Sequence, residues 1–533
     1  MAKSELAKER KDYHGRPYDG KRLRIRDRQP RGRGKNQGVA QQKLGHVCGE
    51  KKLLWEYTES AARTPRTRTI MELPDLPPRT FSGISEGDSE EYEDGWKFLP
   101  DILLEDVFTM LAPKARHEAS QVCQRWYGAF YAPRVWETFT LKERTLTKKR
   151  FNLYRGYQRE VCPRKTQVCL LRVGSHFKKI VIPPISDFYN LYEFIRVVDS
   201  FMGFFEEFPM PMLNTFHFTF ACESRGMTGK LVHGTGGKLL EVLKSLLSNM
   251  RNMKNLKLNQ LLLDEYEITD LINSIAKRSS HSLKYFELLN CSRTPYALHE
   301  VSKFENLQKL VISPQHMTEI VLLLLAGMGL TELHLVQDAY TCAFDPVSSE
   351  AWKMAKEIAP FLSVTLEVRG DTKSDIAIQP HAPVTTIVYN TPYSKTVPDT
   401  VSTAAYYYRN TLESYEQRCL PRVHGPRSFV KRGDSSLLDL VQRCRRIHTL
   451  VIRERISTAT LLLLAKEGKT LRNLIVRQNA LIKKCDWPNQ WTDEFYDWLR
   501  TSSHSFEATN QEVARIVGPP WRPLSDHEFK YRS

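Results

Sequence analysis

Leu283-Lys284-Tyr285-Phe286-Glu287-Leu288, Leu307-Gln308-Lys309-Leu310 and Leu330-Thr331-Glu332-Leu333-His334-Leu335 are short runs of alternating aliphatic residues, set 24 and then 23 residues apart when counted from Leu283 to Leu307 to Leu330. The interval of 24 returns between Leu450 of Ile447-His448-Thr449-Leu450-Val451-Ile452 and Leu474 of Leu471-Arg472-Asn473-Leu474-Ile475-Val476. Alternation with a period of two is the pattern of a strand that buries one face. Three further runs fit it: Phe216-His217-Phe218-Thr219-Phe220, Leu256-Lys257-Leu258 and Val364-Thr365-Leu366-Glu367-Val368. Between the runs, residues 238–250, 265–278, 317–328 and 457–467 carry apolar residues at helical spacing. A strand plus a helix repeated at such an interval cannot bury its apolar face alone, so the units must stack into a solenoid. The expected fold class is therefore α/β.

Working outward, the interval lies in the leucine-rich-repeat range. Leu288-Leu289-Asn290-Cys291 supplies the Asn/Cys turn position of such a repeat, but most other units lack it, and the solenoid is expected to be degenerate. The repeat domain is placed at 160–480. Its least regular part, 369–430, has several prolines and Tyr406-Tyr407-Tyr408 and is expected to be a long insertion. A Trp-rich segment, 481–533, follows with Trp487, Trp491, Trp498 and Trp521.

Toward the N-terminus the composition changes twice. Of the net +17, residues 1–70 hold +11, from 19 Lys/Arg against 8 Asp/Glu. With so few apolar residues this tail cannot offset its ordering entropy, and it is expected to be disordered. Lys21-Arg22-Leu23-Arg24-Ile25-Arg26 and Arg31-Gly32-Arg33-Gly34-Lys35 are its densest basic runs, suited to solvation, nuclear import or weak polyanion contact. Residues 71–95 reverse the sign, with acidic residues around Ser85 and Ser89, and are expected to be an acidic linker with two acidophilic phosphorylation positions.

Order is expected from Trp96. Pro100 suits a first helical turn, and Leu103, Val107, Phe108 and Leu111 recur at i, i+4, i+5 and i+8. Pro113 stops that helix. A second helix over 114–130 is expected to carry Ala119, Val122, Cys123, Trp126 and Phe130 on one face, and Val135-Trp136 close the unit after Pro133. So small a module has apolar surface left over for a partner.

Residues 96–141 resemble an F-box. The family opens with Leu-Pro, continues with aliphatics and a Phe, and centres on Val-Cys-x-x-Trp before a second Trp. Here these are Leu99-Pro100, Leu103, Val107-Phe108, Leu111, Val122-Cys123-Gln124-Arg125-Trp126 and Trp136. Ile102, where many members carry Glu, and the stretch 114–118, without the common Asp-Leu, depart from the pattern. The resemblance implies that ten of these residues, all but Gln124 and Arg125, bind the Skp adaptor, which links to cullin and a RING protein, while the repeats bind a protein substrate for ubiquitination and degradation. The irregular repeats and the Trp-rich end look most like the F-box-only proteins thirty-three and thirty-nine.

Little intrinsic chemistry is indicated. The ten cysteines include no C-x-x-C pair, so reduced thiols are expected rather than zinc or disulfides. Gly234-Thr235-Gly236-Gly237-Lys238 departs from a phosphate loop, since position 232 is Val and Leu239 replaces Ser/Thr. Gly83-Ile84-Ser85-Glu86-Gly87 matches a nucleophile elbow only in letters, because no strand and helix flank it. Arg432-Gly433-Asp434 matches an adhesion tripeptide by chance. His316 and His334 suit ordinary core or surface positions. The N-terminus has no apolar h-region, and the longest apolar run, 320–330, is too short for a membrane span. A non-catalytic protein without cofactor or metal is expected in cytoplasm, nucleus or both, away from membranes. The alternative is a nucleic-acid-associated protein that uses the basic tail.

Overall fold

A computed structural model describes residues 99–532, apart from 155, 206, 227, 228, 423 and 424. The basic tail, the acidic linker and the Gly83–Gly87 motif lie outside the described residues.

Three short helices come first: α1 (Asp101–Met110), α2 (Pro113–Ala119) and α3 (Gln124–Phe130), closed by a 3-10 turn at Pro133–Trp136. The expected second helix is in fact two. Ser120 turns its hydroxyl back to the His117 carbonyl at 2.7 Å, and Cys123 is extended at φ −159°, ψ 168°. Ser, Val and Cys are weak helix formers, and a serine that bonds its own backbone offers the chain another route. Pro113 does double duty: α1 has ended before it, and it opens α2, where its missing N–H costs nothing.

Twelve strands then form a sheet in chain order, every neighbouring pair parallel. They are β1 (Thr138–Thr140), β2 (Lys179–Ile182), β3 (Thr215–Thr219), β4 (Asn255–Asn259), β5 (Tyr285–Leu289), β6 (Lys309–Ile312), β7 (Glu332–Gln337), β8 (Ser363–Arg369), β9 (Val384–Asn390), β10 (Ser414–Gln417), β11 (Thr449–Ile452) and β12 (Asn473–Val476). The returning helices are α4 (Pro163–Val173), α5 (Phe188–Phe204), α6 (Gly237–Asn249), α7 (Glu265–Ser279), α8 (Glu319–Gly327), α9 (Ser349–Ile358), α10 (Pro398–Tyr407), α11 (Asp434–Arg443) and α12 (Thr458–Glu467).

Register shows what holds the stack together. Leu310 stands opposite Phe286 on one side and Leu333 on the other, and Ile312 opposite Leu288 and Leu335. All six are buried. Because parallel neighbours lie about 4.8 Å apart, each such residue packs on its equivalents in the adjacent units, and a continuous apolar ladder results. The solenoid is an α/β fold of strand–helix units, as the periodicity predicts.

The eight expected runs all form strands, and four further strands went unread: β1, β2, β9 and β10. The early ones were hidden by spacing. Register equivalents Phe139, Ile180, Phe216 and Leu256 are 41, 36 and 40 residues apart, far from the period of 23 to 24. Hairpins at Thr147–Asn152/Gly156–Val161 and Glu223–Gly226/Gly229–Val232 lengthen those units.

Two boundaries need correction. Segment 369–430 is not an insertion, because it holds β9, α10 and β10 in the continuous sheet. Its core adds tyrosines to aliphatic residues such as Val384, Ile387 and Leu412: Tyr389, Tyr408 and Tyr415 are buried. The Tyr389 hydroxyl donates to Asp375 at 2.7 Å, and that of Tyr408 donates to the Gln379 carbonyl at 3.0 Å, which offsets the cost of burying a polar tip. The sheet also begins before residue 160, since β1, inside the stretch assigned to the helical module, pairs with β2.

At the other end, α13 (Asp493–Ser502), α14 (Phe506–Val517) and α15 (Asp526–Arg532) cap the solenoid. The Leu524 N–H donates to the Val476 carbonyl at 2.8 Å, and the Trp521 indole donates to the Leu474 carbonyl at 2.7 Å. These bonds satisfy the outer edge of β12, which would otherwise be open for pairing. Trp487 stacks edge-on to Phe429 and Trp491 and donates to Thr460 at 2.8 Å.

Candidate functional site

In α1 the inward stripe is Leu104 and Phe108, one turn apart, and both are buried. Phe108 meets the Trp126 ring edge to face at 5.8 Å, and Phe130 meets Trp136 likewise at 5.2 Å. Trp136 continues inward to Phe177 at 6.5 Å. Arg116 ties the module shut: its guanidinium donates to the carbonyls of Val135 at 2.6 Å, Leu111 at 2.9 Å and Thr109 at 2.9 Å, and lies 4.9 Å over the Trp136 ring. Burial lowers its pKa.

The outward groups follow from the same helical phase. Ile102 is 62% exposed, Leu103 47% and Val122 65%, and Pro100 and Cys123 are also exposed. Arg125 links the two stretches by bonding Asp101 at 2.8 Å and the Leu99 carbonyl. Residues 99–103 and 122–123 therefore occupy one end of the module. Met110, 84% exposed, sits nine residues along α1, about 13 Å away.

Of the ten residues assigned to adaptor binding, Leu99, Pro100, Leu103, Val122 and Cys123 come together at this end. Val107, Leu111 and Trp126 are half-buried within the module. Phe108 and Trp136 are corrected: both are core, at 0% and 3% exposure, so they shape the surface without forming it. Cys123 is not inside a helix but on the turn before α3. Reading the stripe from Leu103 rather than Leu104 shifted the face by one residue, which is 100° around a helix. Met110 and Tyr127 were not singled out, and Ile102 was noted only as a departure from the family pattern and not as part of the exposed face.

The strand residues between the core positions form a second surface. On it Glu287 receives Lys257 at 2.6 Å, the Tyr285 hydroxyl at 2.6 Å and the Asn259 amide at 2.8 Å, with Arg369 at 3.6 Å. Burial alone would raise its pKa, but these partners outweigh it and hold the carboxyl at about 2. His334 lies 3.0 Å from Glu367, which also accepts from Asn390 at 3.0 Å. The arrangement is a set of cross-strand polar pairs, with Val311, Val336 and Leu289 forming an apolar strip among them.

The other sequence motifs have structural roles. Arg432 and Asp434 are buried and bonded to each other at 2.7 Å, with Asp486 as a second acceptor at 2.8 Å, so the tripeptide is internal. Gly234 has no room for a Cβ beside the Leu262 carbonyl, and Gly237-Lys238 start α6. His316 is fully buried, with Nδ1 3.0 Å from the Tyr296 carbonyl. Among the described residues no cluster could hold a metal ion, and no helix is long and apolar enough to cross a membrane.

Compared with known proteins, residues 96–142 match the F-box-like family, which makes this helical module an F-box-like domain. It is followed by the strand–helix solenoid described above. No curated protein matches the chain. Among solved structures, a chain of the crystal structure of the yeast Rad7 and Elc1 complex is similar at 10% identity, over 75% of this chain and 93% of that one, with a TM-score of 0.38. An internalin (inlF) from Listeria monocytogenes is similar at 10% identity, over 60% of this chain and 84% of that one, with a TM-score of 0.23.

Proposed function

We propose that this protein is the substrate-recognition subunit of a Skp–cullin–F-box ubiquitin ligase. The F-box-like domain docks the Skp adaptor, and through it cullin and a RING protein. The solenoid holds a protein substrate, which is ubiquitinated and degraded. The observation that carries this reading is the apolar end formed by Pro100, Leu103 and Val122, with half-buried Leu99 beside them, on an F-box-like domain, exposed among the described residues. The protein contributes proximity rather than bond-making groups, since holding substrate beside the transfer machinery supplies much of the rate. Within F-box proteins, the irregular repeats and the Trp-rich end favour kinship with the F-box-only proteins thirty-three and thirty-nine. Changing Leu99 and Pro100 together to Ala in the full chain abolishes capture of purified Skp adaptor while the melting temperature holds. Undiminished capture would overturn the reading.

A second reading rests on the +11 of residues 1–70. In it the tail contacts a polyanion and the F-box-like domain couples that contact to turnover, in cytoplasm or nucleus. Nucleic-acid binding that weakens steeply with salt and vanishes on deleting 1–70 supports it. Salt-independent binding, or none, rejects it.

A further inference from the structure

The loops that leave β9, β10, β11 and β12 enclose a cavity of about 440 Å³. Six cationic residues line it: Lys395, Lys431, Arg432, Arg453, Arg455 and Arg477. Two of these are neutralised by acids, Arg432 by Asp434 and Asp486, and Arg477 by Asp526 at 2.7 Å. Among the described residues, the other four have no acidic partner. The one carboxylate in the lining, Glu454, is engaged by the N–H and hydroxyl of Thr396.

Arg453 is the unusual member. It is 1% exposed, and its guanidinium reaches only carbonyls: Thr391, Arg418 at 2.6 Å and Ser394 at 2.6 Å. Its Nε has no hydrogen-bond partner, and neither has the hydroxyl of Ser394, 3% exposed in the same wall. A buried cation without a counter-ion and two orphaned donors are costly arrangements in a folded protein unless a ligand completes them.

We propose that this cavity binds a phosphate monoester group. Four unneutralised cations less Glu454 leave a local +3. A phosphate monoester carries about −1.5 to −2 at neutral pH and has three acceptor oxygens, whereas a carboxylate brings one charge and two. Guanidinium groups suit such an oxyanion because their donors form a planar fork. The group arrives either on a phosphorylated side chain of a bound protein or on a small free phosphoester. The site is remote in sequence from the F-box-like domain and stands whether or not that domain docks an adaptor.

Isothermal titration of the full chain at fixed ionic strength tests this with three probes: orthophosphate, a short peptide bearing one phosphoserine, and the same peptide unphosphorylated. Lys395 and Lys431 are exposed, so the double variant Lys395→Glu/Lys431→Glu keeps the fold, verified by its melting temperature. It weakens phosphate-probe binding at least about tenfold, a loss of about 1.4 kcal/mol. The control Lys148→Glu/Lys149→Glu, on the exposed hairpin, leaves it unchanged and accounts for the common contribution of the basic tail. A phosphopeptide that binds about tenfold tighter than orthophosphate, with no binding by its unphosphorylated form, identifies a phosphorylated partner as the source. Equal binding of phosphopeptide and orthophosphate identifies a small free phosphoester. Equal weakening by both double variants, or no binding of either phosphate probe, overturns the proposal.

Discussion

Arg116 Nη1 donates to the carbonyl of Val135 at 2.6 Å across 19 residues of chain. Its other nitrogens hold Thr109 and Leu111, so one side chain closes the end of α1 onto the turn that carries Trp136. Replacing Arg116 with Leu leaves three carbonyls short of a donor. Hydrogen bonds to a charged group contribute about 1.5–3 kcal/mol each, partly overlapping here, and the expected loss is about 2–4 kcal/mol. Arg116→Lys recovers only part of it, because a single ammonium cannot span the fork. Denaturant unfolding measures both, and a loss below about 0.5 kcal/mol would show the staple to be idle.

Phe108 and Leu103 are five positions apart and should respond oppositely. Phe108→Ala opens a cavity in the core and costs about 3–5 kcal/mol. Leu103→Asp, at an exposed site, changes stability by no more than about 0.5 kcal/mol but removes Skp-adaptor capture. Melting and pull-down of the same two proteins separate the roles. Intact capture by the folded Leu103→Asp variant would exclude this residue from the docking end.

Leu310 and Leu333 are register partners in β6 and β7, at 0% and 1% exposure. Either one changed to Ala costs about 2–5 kcal/mol. Because the units lean on their neighbours, hydrogen exchange should accelerate in β5 and β8 as well as in the altered strand. An effect confined to one strand would mean that the units are independent.

Acid should destabilise the solenoid in two ranges. Burial holds the folded pKa of His316 at about 4 against an ordinary 6.5, with the Tyr296 carbonyl pulling the other way. The folded value lies below the unfolded one, so this stability is present above pH 6.5 and is lost as pH falls toward 4. The Glu287 pairs, held at about 2 against an ordinary 4.5, persist further and are lost between those values. Each group changes stability by at most about 1.4 kcal/mol per pH unit. His316→Gln should flatten the upper range only, as read from urea midpoints between pH 7 and pH 4. An unchanged slope would place the titration elsewhere.

Strand and helix placement was legible in the chain wherever the signal is local. Alternation around Leu310 and Leu333, and helical spacing over 265–278, depend on neighbours within one turn or one strand, and the elements form there. The F-box-like domain was legible because Leu-Pro and Val-Cys-x-x-Trp keep their spacing over a short span. Its facing was not: Leu103 and Leu104 are adjacent and chemically alike, and only the packing of Phe108 on Trp126 decides which of them points inward. Tyr389 and Tyr408 lie in the stretch that looked irregular in sequence because a buried tyrosine takes a hydroxyl partner that no local pattern announces, as Asp375 is for Tyr389 and the Gln379 carbonyl for Tyr408. Lys395 and Arg477 are 82 positions apart, and nothing near either residue relates them. They line one cavity because four parallel strands end side by side, and register between distant segments is a property of the stacked sheet rather than of any stretch of chain.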